Sequence, residues 1–326
     1  MNATPATPGE LAVRAARRGT TRPASLRDAR ERLIRGLLLA AAVFSVLTTA
    51  TIVVTLAWET ANFLRLPEVT LSDFLLGTTW SPLLGQEKHF GVWPLVSGTM
   101  LVTAVGAAFA LPVGLVTAVY LSEYAPPRVR ATLKPVLEVL AGVPTVVYGF
   151  FALMVITPGL QALCTAAFGR PVFPGYNATG AGLAVGVMIL PIVTSLSEDA
   201  LRAVPRSLRE GAQALGGTRF DVSVRVVVPA ALSGIMASFF LAITRAIGET
   251  MIVALAAGGL AQLTFNPASE TQTMTAYMVQ IFLGDAPAFG VENLSSYAVA
   301  AVLFTITLAL TMAGNVLLRW FREEYE

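Results

Sequence analysis

The chain has 326 residues, of which 55% are apolar and only 13% charged, with a mean hydropathy of +0.69 and a formal net charge of +2. Soluble domains carry about a quarter charged residues, so a water-soluble globule is excluded, and long uninterrupted apolar runs exclude the alternating strands of a membrane barrel. A single histidine, His89, and a single cysteine, Cys164, leave no parts for a His-based triad, a thiolate metal cluster or an intrachain disulfide.

In chain order, residues 1–32 read as an Arg-rich tail without a core of its own. Apolar runs follow at 33–57, 97–121, 133–157, 181–199, 231–258 and 296–318. A helix needs about 20 apolar residues to cross the hydrocarbon layer, so the expected fold is an all-α membrane protein of six transmembrane helices. The first run is too long for the core of a signal peptide and has no clear small-residue cleavage site after it, so it reads as an uncleaved helix. Residues 58–96 form the first outer loop, 97–320 the main bundle and 321–326 the C-terminal end. Lysine and arginine crowd four segments: eight up to Arg35, three in 122–134 (Arg128, Arg130, Lys134), five in 198–229 (Arg202, Arg206, Arg209, Arg219, Arg225) and two at the C-terminal end (Arg319, Arg322). The intervening segments hold only Arg65, Lys88 and Arg170. By the positive-inside rule both termini are expected in the cytoplasm.

Several chemistries have no motif. Lys88 and Lys134 are the only lysines and neither lies in a phosphate-binding loop, so ATP hydrolysis by that route is excluded. No GxSxG elbow occurs. "GLAVG" at 182–186 has the spacing of close helix packing in membranes. The Asn-x-Ser/Thr triplets at Asn2, Asn177 and Asn293 are frequent by chance and are assigned no role. The composition points to transport or to a scaffold within a membrane complex, with no cofactor and no catalytic residue.

The loop at 200–229 is more than a linker. Pro205 can open a helix, "RSLREGAQAL" contains good helix formers, and Gly216-Gly217 ends it. Leu208, Ala212 and Leu215 fall on one stripe, and so short a helix needs something to dock into. The loop resembles the "EAA" loop of ABC importer permeases, of form E-A-A-x3-G-x9-I-x-L-P. Here Glu210-Gly211-Ala212 is followed after three residues by Gly216, and after nine more by Val226-Val227-Val228-Pro229. Gly211, Val226 and Val228 depart from the pattern conservatively, Gly211 at up to ~1 kcal/mol of helix stability. "FLLGTTWSP" (74–82), "FGVWPLVSGT" (90–99), "LPVGLVTAVYLSEYAP" (111–126), "LEVLAGVPTVVYGFFAL" (137–153), "ILPIVTSLSEDALRAVP" (189–205) and "RAIGETMIVALAAG" (245–258) together resemble the PstC-type permease of phosphate-specific ABC importers over roughly 33–320. The sister PstA type shares part of the pattern. The resemblance implies a type I ABC importer permease fold in a bacterial inner membrane. It implies as partners a PstA-like permease, an ATP-binding subunit pair docked on Arg209, Glu210, Gly211, Ala212, Leu215, Gly216 and Pro229, and an extracytoplasmic phosphate-binding protein. ATP hydrolysis would belong to the partner.

"RAIGET" at 245–250 interrupts an apolar run with two charges. An arginine at the centre of a membrane helix costs about 2.5–3.5 kcal/mol on insertion scales. It is kept where it faces a bundle interior or a watery path. Arg245 and Glu249 share a helix face if the run is one helix. Arg before Glu is the poorer order for a pair at this spacing, so both side chains are expected to look across at a neighbour or at substrate. An arginine fork matches phosphate oxygens, and a carboxylate can accept the proton that phosphate carries and sulfate lacks. The resemblance also places this Arg and Glu in phosphate passage; a structural ion pair between helices is the plainer alternative. Glu138 reads as the opening of the third span, either paired with Lys134 or at a gate. Thr145 and Tyr148 are further candidates to line the path, or to pack as ordinary polar residues. Pro112, Pro144 and Pro191 are expected to kink their helices. Rival functions are a permease for sulfate or molybdate, an ion-coupled secondary carrier, and a sensory scaffold.

Overall fold

The computed structural model describes residues 24–82, 88–284 and 290–320. Among these, helices account for nearly all regular structure, and the only strands are Trp80–Ser81 (β1) and His89–Phe90 (β2), paired antiparallel. Five helical stretches are long and apolar enough to cross a membrane: Arg30–Leu64, Trp93–Tyr124, Thr145–Phe168, Ala178–Ala203 and Val291–Leu318. The bent pair Arg219–Ala230 and Leu232–Ile247 supplies a sixth, with a 68° angle between its parts. The expected six-span all-helical fold is therefore present. The chain forms two compact units, residues 1–57 and 58–326. The first contains most of α1 (Ala24–Leu64), which carries no charged residue from Gly36 to Ala57, as contact with lipid requires. Of the tail, residues 1–23 lie outside the described residues, as do 321–326.

One end of the second unit is an aromatic cluster. Phe63 meets Phe74 of α2 (Leu71–Leu76) and Phe90, and Trp80 meets Phe90 and Tyr277, all edge-on with ring centres 5.0–6.1 Å apart. Thr70 caps α2 by accepting from the Asp73 N–H. Leu95 near the start of α3 (Trp93–Val119) and Met274 and Ala298 complete this apolar group.

The middle is built on α3 against α7 (Ala178–Ala203). A Cβ on Gly106 would lie 2.9 Å from the Gly182 carbonyl oxygen, and one on Gly186 2.9 Å from that of Gly106. Only glycine permits so close an approach of two backbones, which is the packing use expected of "GLAVG". Pro112 and Pro191 lie inside α3 and α7, which continue through them.

Two of the expected spans differ from the runs read in sequence. Run 133–157 is two elements: α4 (Pro127–Ala141), which buries none of its residues, and α5 (Thr145–Phe151). A wide π-type turn at Ala152–Ile156 carries α5 into α6 (Thr157–Phe168). Gly142 ends α4, and Pro144, without an N–H and hostile to a helical residue before it, enforces the break. Run 231–258 is also divided. Helix α11 (Leu232–Ile247) stops at Gly248 and a short α12 (Met251–Ala256) follows. Segment 259–295, read as a loop, carries α13 (Met274–Leu283) before α14 (Val291–Trp320).

The opposite end gathers Ala118, Leu201, Val204, Val222, Val227, Ala231 and Ile235 into an apolar group. It holds α8 (Arg206–Ala214), α9 (Arg219–Val222) with a π-type turn at Ser223–Val227, and α10 (Val228–Ala230). This end presents the surface helices.

Candidate substrate path and coupling surface

Arg245 lies in the last turn of α11, and Glu249 lies between that helix and α12. They pair directly, Arg245 Nη1 donating to Glu249 Oε2 at 3.0 Å. The helical spacing rule that disfavours this order does not apply, because the helix ends at Gly248 before Glu249 is reached. Glu249 is only 2% exposed in its side chain and accepts two further hydrogen bonds, from the backbone N–H groups of Met251 (3.1 Å) and Ile252 (3.4 Å). Its carbonyl accepts from Thr275 Oγ1 at 2.6 Å, tying the break to α13. The break places a carboxylate on free amide donors at one helix start and a cation at another helix end, both favourable to the backbone dipoles. Glu249 therefore holds Arg245 and caps α12. Arg245 itself remains 44% exposed, and its other N–H groups meet no protein acceptor among the described residues.

Arg245 opens onto a cavity of about 390 Å³ between α4, α7 and α11. Glu138 and Lys134 line it from α4, and Thr194, Ser195 and Glu198 from α7. The structure thus brings Glu138 to Arg245's cavity, although Glu138 sits near the end of a surface helix and does not open a span. Lys134 does not take Glu138 as its ion-pair partner. It pairs with Glu198 at 3.2 Å and Asp199 at 2.9 Å on α7. The hydrogen bond to Asp199, outweighing desolvation and reinforced by Glu198, raises the Lys134 pKa above its ordinary value. Tyr148 is buried, and its hydroxyl donates to the Leu140 carbonyl at 2.6 Å, bracing α5 to α4 across the break. It is a strut away from the cavity lining, as is the half-buried Thr145 at the start of α5.

Glu198 was not singled out in the sequence, yet it is the most enclosed charge in the bundle, with its side chain 1% exposed. Arg130 Nε lies 3.0 Å from it and Arg202 Nη1 3.7 Å, besides Lys134. Arg130 also donates to the Ser122 carbonyl at 3.3 Å. A carboxylate one residue inside the end of the apolar run 181–199, with Arg202 four residues on, is the signal that marks it.

On the surface, α8 ends as the sequence predicts. Gly217 N–H donates to Ala212 O at 3.1 Å and Gly216 N–H to Gln213 O at 2.9 Å, a Schellman closure. Gly216 has φ +86°, where a side chain is strained although open space surrounds it. Arg209 grips Glu123 with a fork, Nε at 3.4 Å and Nη2 at 3.1 Å, and donates to the Leu201 carbonyl at 2.7 Å. It fastens α8 to the ends of α3 and α7. The expected apolar stripe divides: Leu208 and Ala212 pack on the chain's own core, whereas Leu215 is 92% exposed. Phe220 and Val224 are exposed nearby in sequence, and Glu210 and Gly211 are also exposed. Pro229 lies in α10, just before the bend into α11.

The sequence matches the family described as "Binding-protein-dependent transport system inner membrane component" over residues 110–323. It is 34% identical over 235 residues to "Probable ABC transporter permease protein YqgH" of Bacillus subtilis (strain 168), covering 72% of this chain and 74% of that protein. It is 31% identical over 317 residues to "Phosphate transport system permease protein PstC" of Xylella fastidiosa (strain Temecula1 / ATCC 700964), covering 92% and 94%. Its fold is similar to a solved bacterial ABC transporter involved in the import of alginate, with TM-score 0.62 over 92% of this chain and all of that one at 13% identity.

Proposed function

The chain belongs to the binding-protein-dependent transport system inner membrane component family, and from that premise we propose that it is a PstC-type permease subunit of an ATP-driven importer of inorganic phosphate. The observation that carries the reading is Arg245: a half-exposed guanidinium, fixed by Glu249 at a break between two membrane helices, facing a cavity. A desolvated oxyanion needs such a cation, and the free part of the fork fits its oxygens. Relatives named as phosphate permeases support the choice of anion. A sulfate or molybdate permease would share the support that Glu249 gives Arg245, but its anion carries no proton for the carboxylate to accept. A secondary carrier has no use for the 200–229 loop.

In this reading both termini are cytoplasmic, with residues 1–32 and 321–326 on that side, and residues 58–96 face outward beneath a phosphate-binding protein. A PstA-like subunit completes the path. The ATP-binding subunits dock on α8 and the exposed Leu215, and hydrolysis occurs there. Arg209 then carries their movement into α3 and α7 through Glu123 and the Leu201 carbonyl. Glu138 stands beside the inner part of the path. The test is ATP-driven uptake of labelled phosphate by proteoliposomes holding the full complex, with the binding protein supplied on the outer side. Arg245→Ala should lower uptake by about one to two decades with the complex still assembled. Uptake at the wild-type rate would remove Arg245 from the path.

A further inference from the structure

Lys134, Glu138 and Glu198 also belong to the wall of the cavity that Arg245 lines, whose surface is otherwise almost wholly apolar. Lys134 and Glu138 also line an adjoining cavity of about 420 Å³, whose wall includes Arg130 and Arg202. Of the cations Arg130, Lys134 and Arg202, Lys134 stands where the two cavities meet and the other two line the second alone. Their common partner is Glu198, at 3.0, 3.2 and 3.7 Å respectively. On the way from Arg245, the Thr194 hydroxyl is fully buried, lines the first cavity and has no hydrogen-bond partner among the described residues.

So many charges are a costly way to join α4 to α7. An apolar contact of equal size usually holds as well as a buried ion pair. What an ionic clasp offers is exchange. A carboxylate and a tetrahedral oxyanion present the same pair of oxygens to arginine and lysine, so one can replace the other without leaving the cations unpaired. We propose that Arg130, Lys134 and Arg202 form a second oxyanion site at the inner end of the path, occupied in this conformation by the Glu198 carboxylate, which must give way before the anion can leave. Glu198 is then a latch: it closes the exit by filling it. The inference rests on the phosphate reading for the identity of the anion.

The experiment uses proteoliposomes with the complete complex, preloaded with labelled phosphate and given neither ATP nor binding protein. Glu198→Gln should raise phosphate efflux about tenfold, the equivalent of losing one charge-assisted contact, with efflux of labelled sucrose unchanged. Adding Lys134→Met to that variant should bring efflux back toward wild type. Lys134→Met alone should lower ATP-driven phosphate uptake about tenfold on the same scale without raising efflux, and it gives a second test should Glu198→Gln fail to assemble. An assembled Glu198→Gln complex with wild-type efflux, sucrose leak equal to the phosphate leak, or wild-type uptake by Lys134→Met would each overturn the latch. The phosphate reading fails separately: the wild-type complex would then show no ATP-driven phosphate uptake at all.

Discussion

Glu249 and Glu198 are both carboxylates enclosed in an apolar bundle, with 2% and 1% of their side chains exposed. They solve the same problem by different means. Glu249 is satisfied within eight residues of its own chain: Arg245 before it and the amides of Met251 and Ile252 after it. Glu198 is balanced in charge by three cations, two of them on α4 and more than sixty residues away in sequence, but neither of its oxygens accepts a hydrogen bond among the described residues. A local arrangement orients one side chain at little cost to the fold. A distant one joins two helices and is exposed to whatever moves them. The first suits a fixed binding group and the second a movable contact.

The largest expected effect tests how much more structure depends on Glu198. Removing Glu198 leaves Arg130, 23% exposed, without a carboxylate and Lys134 with Asp199 alone, so part of the roughly 3–5 kcal/mol for breaking a buried ion pair is expected. Glu198→Ala should therefore lower the thermal stability and yield of the complex in detergent more than Glu249→Ala. The latter loses a cap and one ion pair to a half-exposed arginine, about 1–2 kcal/mol. Equal losses in a thermal unfolding series would erase the distinction.

Arg245→Ala comes next: it should lower transport, and because it leaves the enclosed Glu249 carboxylate with only the amides of Met251 and Ile252, it should also cost about 1–3 kcal/mol of stability. A hydrogen bond to a charged group is worth roughly 1.5–3 kcal/mol, or about one to two decades of rate. Arg245→Lys keeps charge without the fork and should fall between. If uptake by Arg245→Ala stays at the wild-type rate, the pair is helix glue, and its contrast with Glu198 disappears.

The comparison also explains what the sequence could disclose. Runs of apolar residues located the spans, and the family spacing of 210–229 located α8, whose glycine closure depends only on neighbours. The Arg245–Glu249 pairing lay within reach too, but the break at Gly248 was hidden, because Gly248 and Thr250 sit in a run apolar enough to pass for one helix. The break at Gly142–Pro144 carried a plain signal, a glycine and a proline two apart, which the continuous apolarity of 133–157 overrode. Arg202 was readable four residues after Glu198, but the other partners Arg130 and Lys134, and Glu123 for Arg209, were not, because α4 meets α7, and α8 meets the end of α3, only once the helices pack.

A third prediction carries the local-against-distant contrast to the coupling surface. Gly216→Trp places a side chain at φ +86°, at a cost of roughly 1–2 kcal/mol, and does so beside exposed Leu215. It should loosen the end of α8, reduce retention of the ATP-binding subunit on co-purification and lower uptake, with membrane insertion unchanged. Full retention and full uptake would show that α8 tolerates a disturbed terminus.

The smallest expected effect on the fold, and the most selective effect on function, is that of Glu249→Gln. A glutamine oxygen can still accept from the Met251 N–H, so the cap on α12 survives. Arg245 loses its partner but is already half exposed and can be solvated, so no buried charge is stranded. Stability should fall by about 1 kcal/mol or less, within the usual range for one hydrogen bond. Two functional outcomes separate. If Glu249 also repels a fully ionised oxyanion, the neutral variant should let excess unlabelled sulfate inhibit phosphate uptake more strongly than in wild type, while uptake without sulfate falls only slightly. If Glu249 serves only to aim the guanidinium, uptake should fall with and without sulfate by the same factor, and Glu249→Asp, which keeps charge but shortens the reach to Arg245, should fall alike. The geometry favours aiming as the larger part, since both carboxylate oxygens are already engaged, Oε2 by Arg245 and Oε1 by the amides. Sulfate inhibition unchanged in Glu249→Gln, together with reduced uptake in Glu249→Asp, would assign phosphate selectivity to another part of the path and leave Glu249 as the support of Arg245.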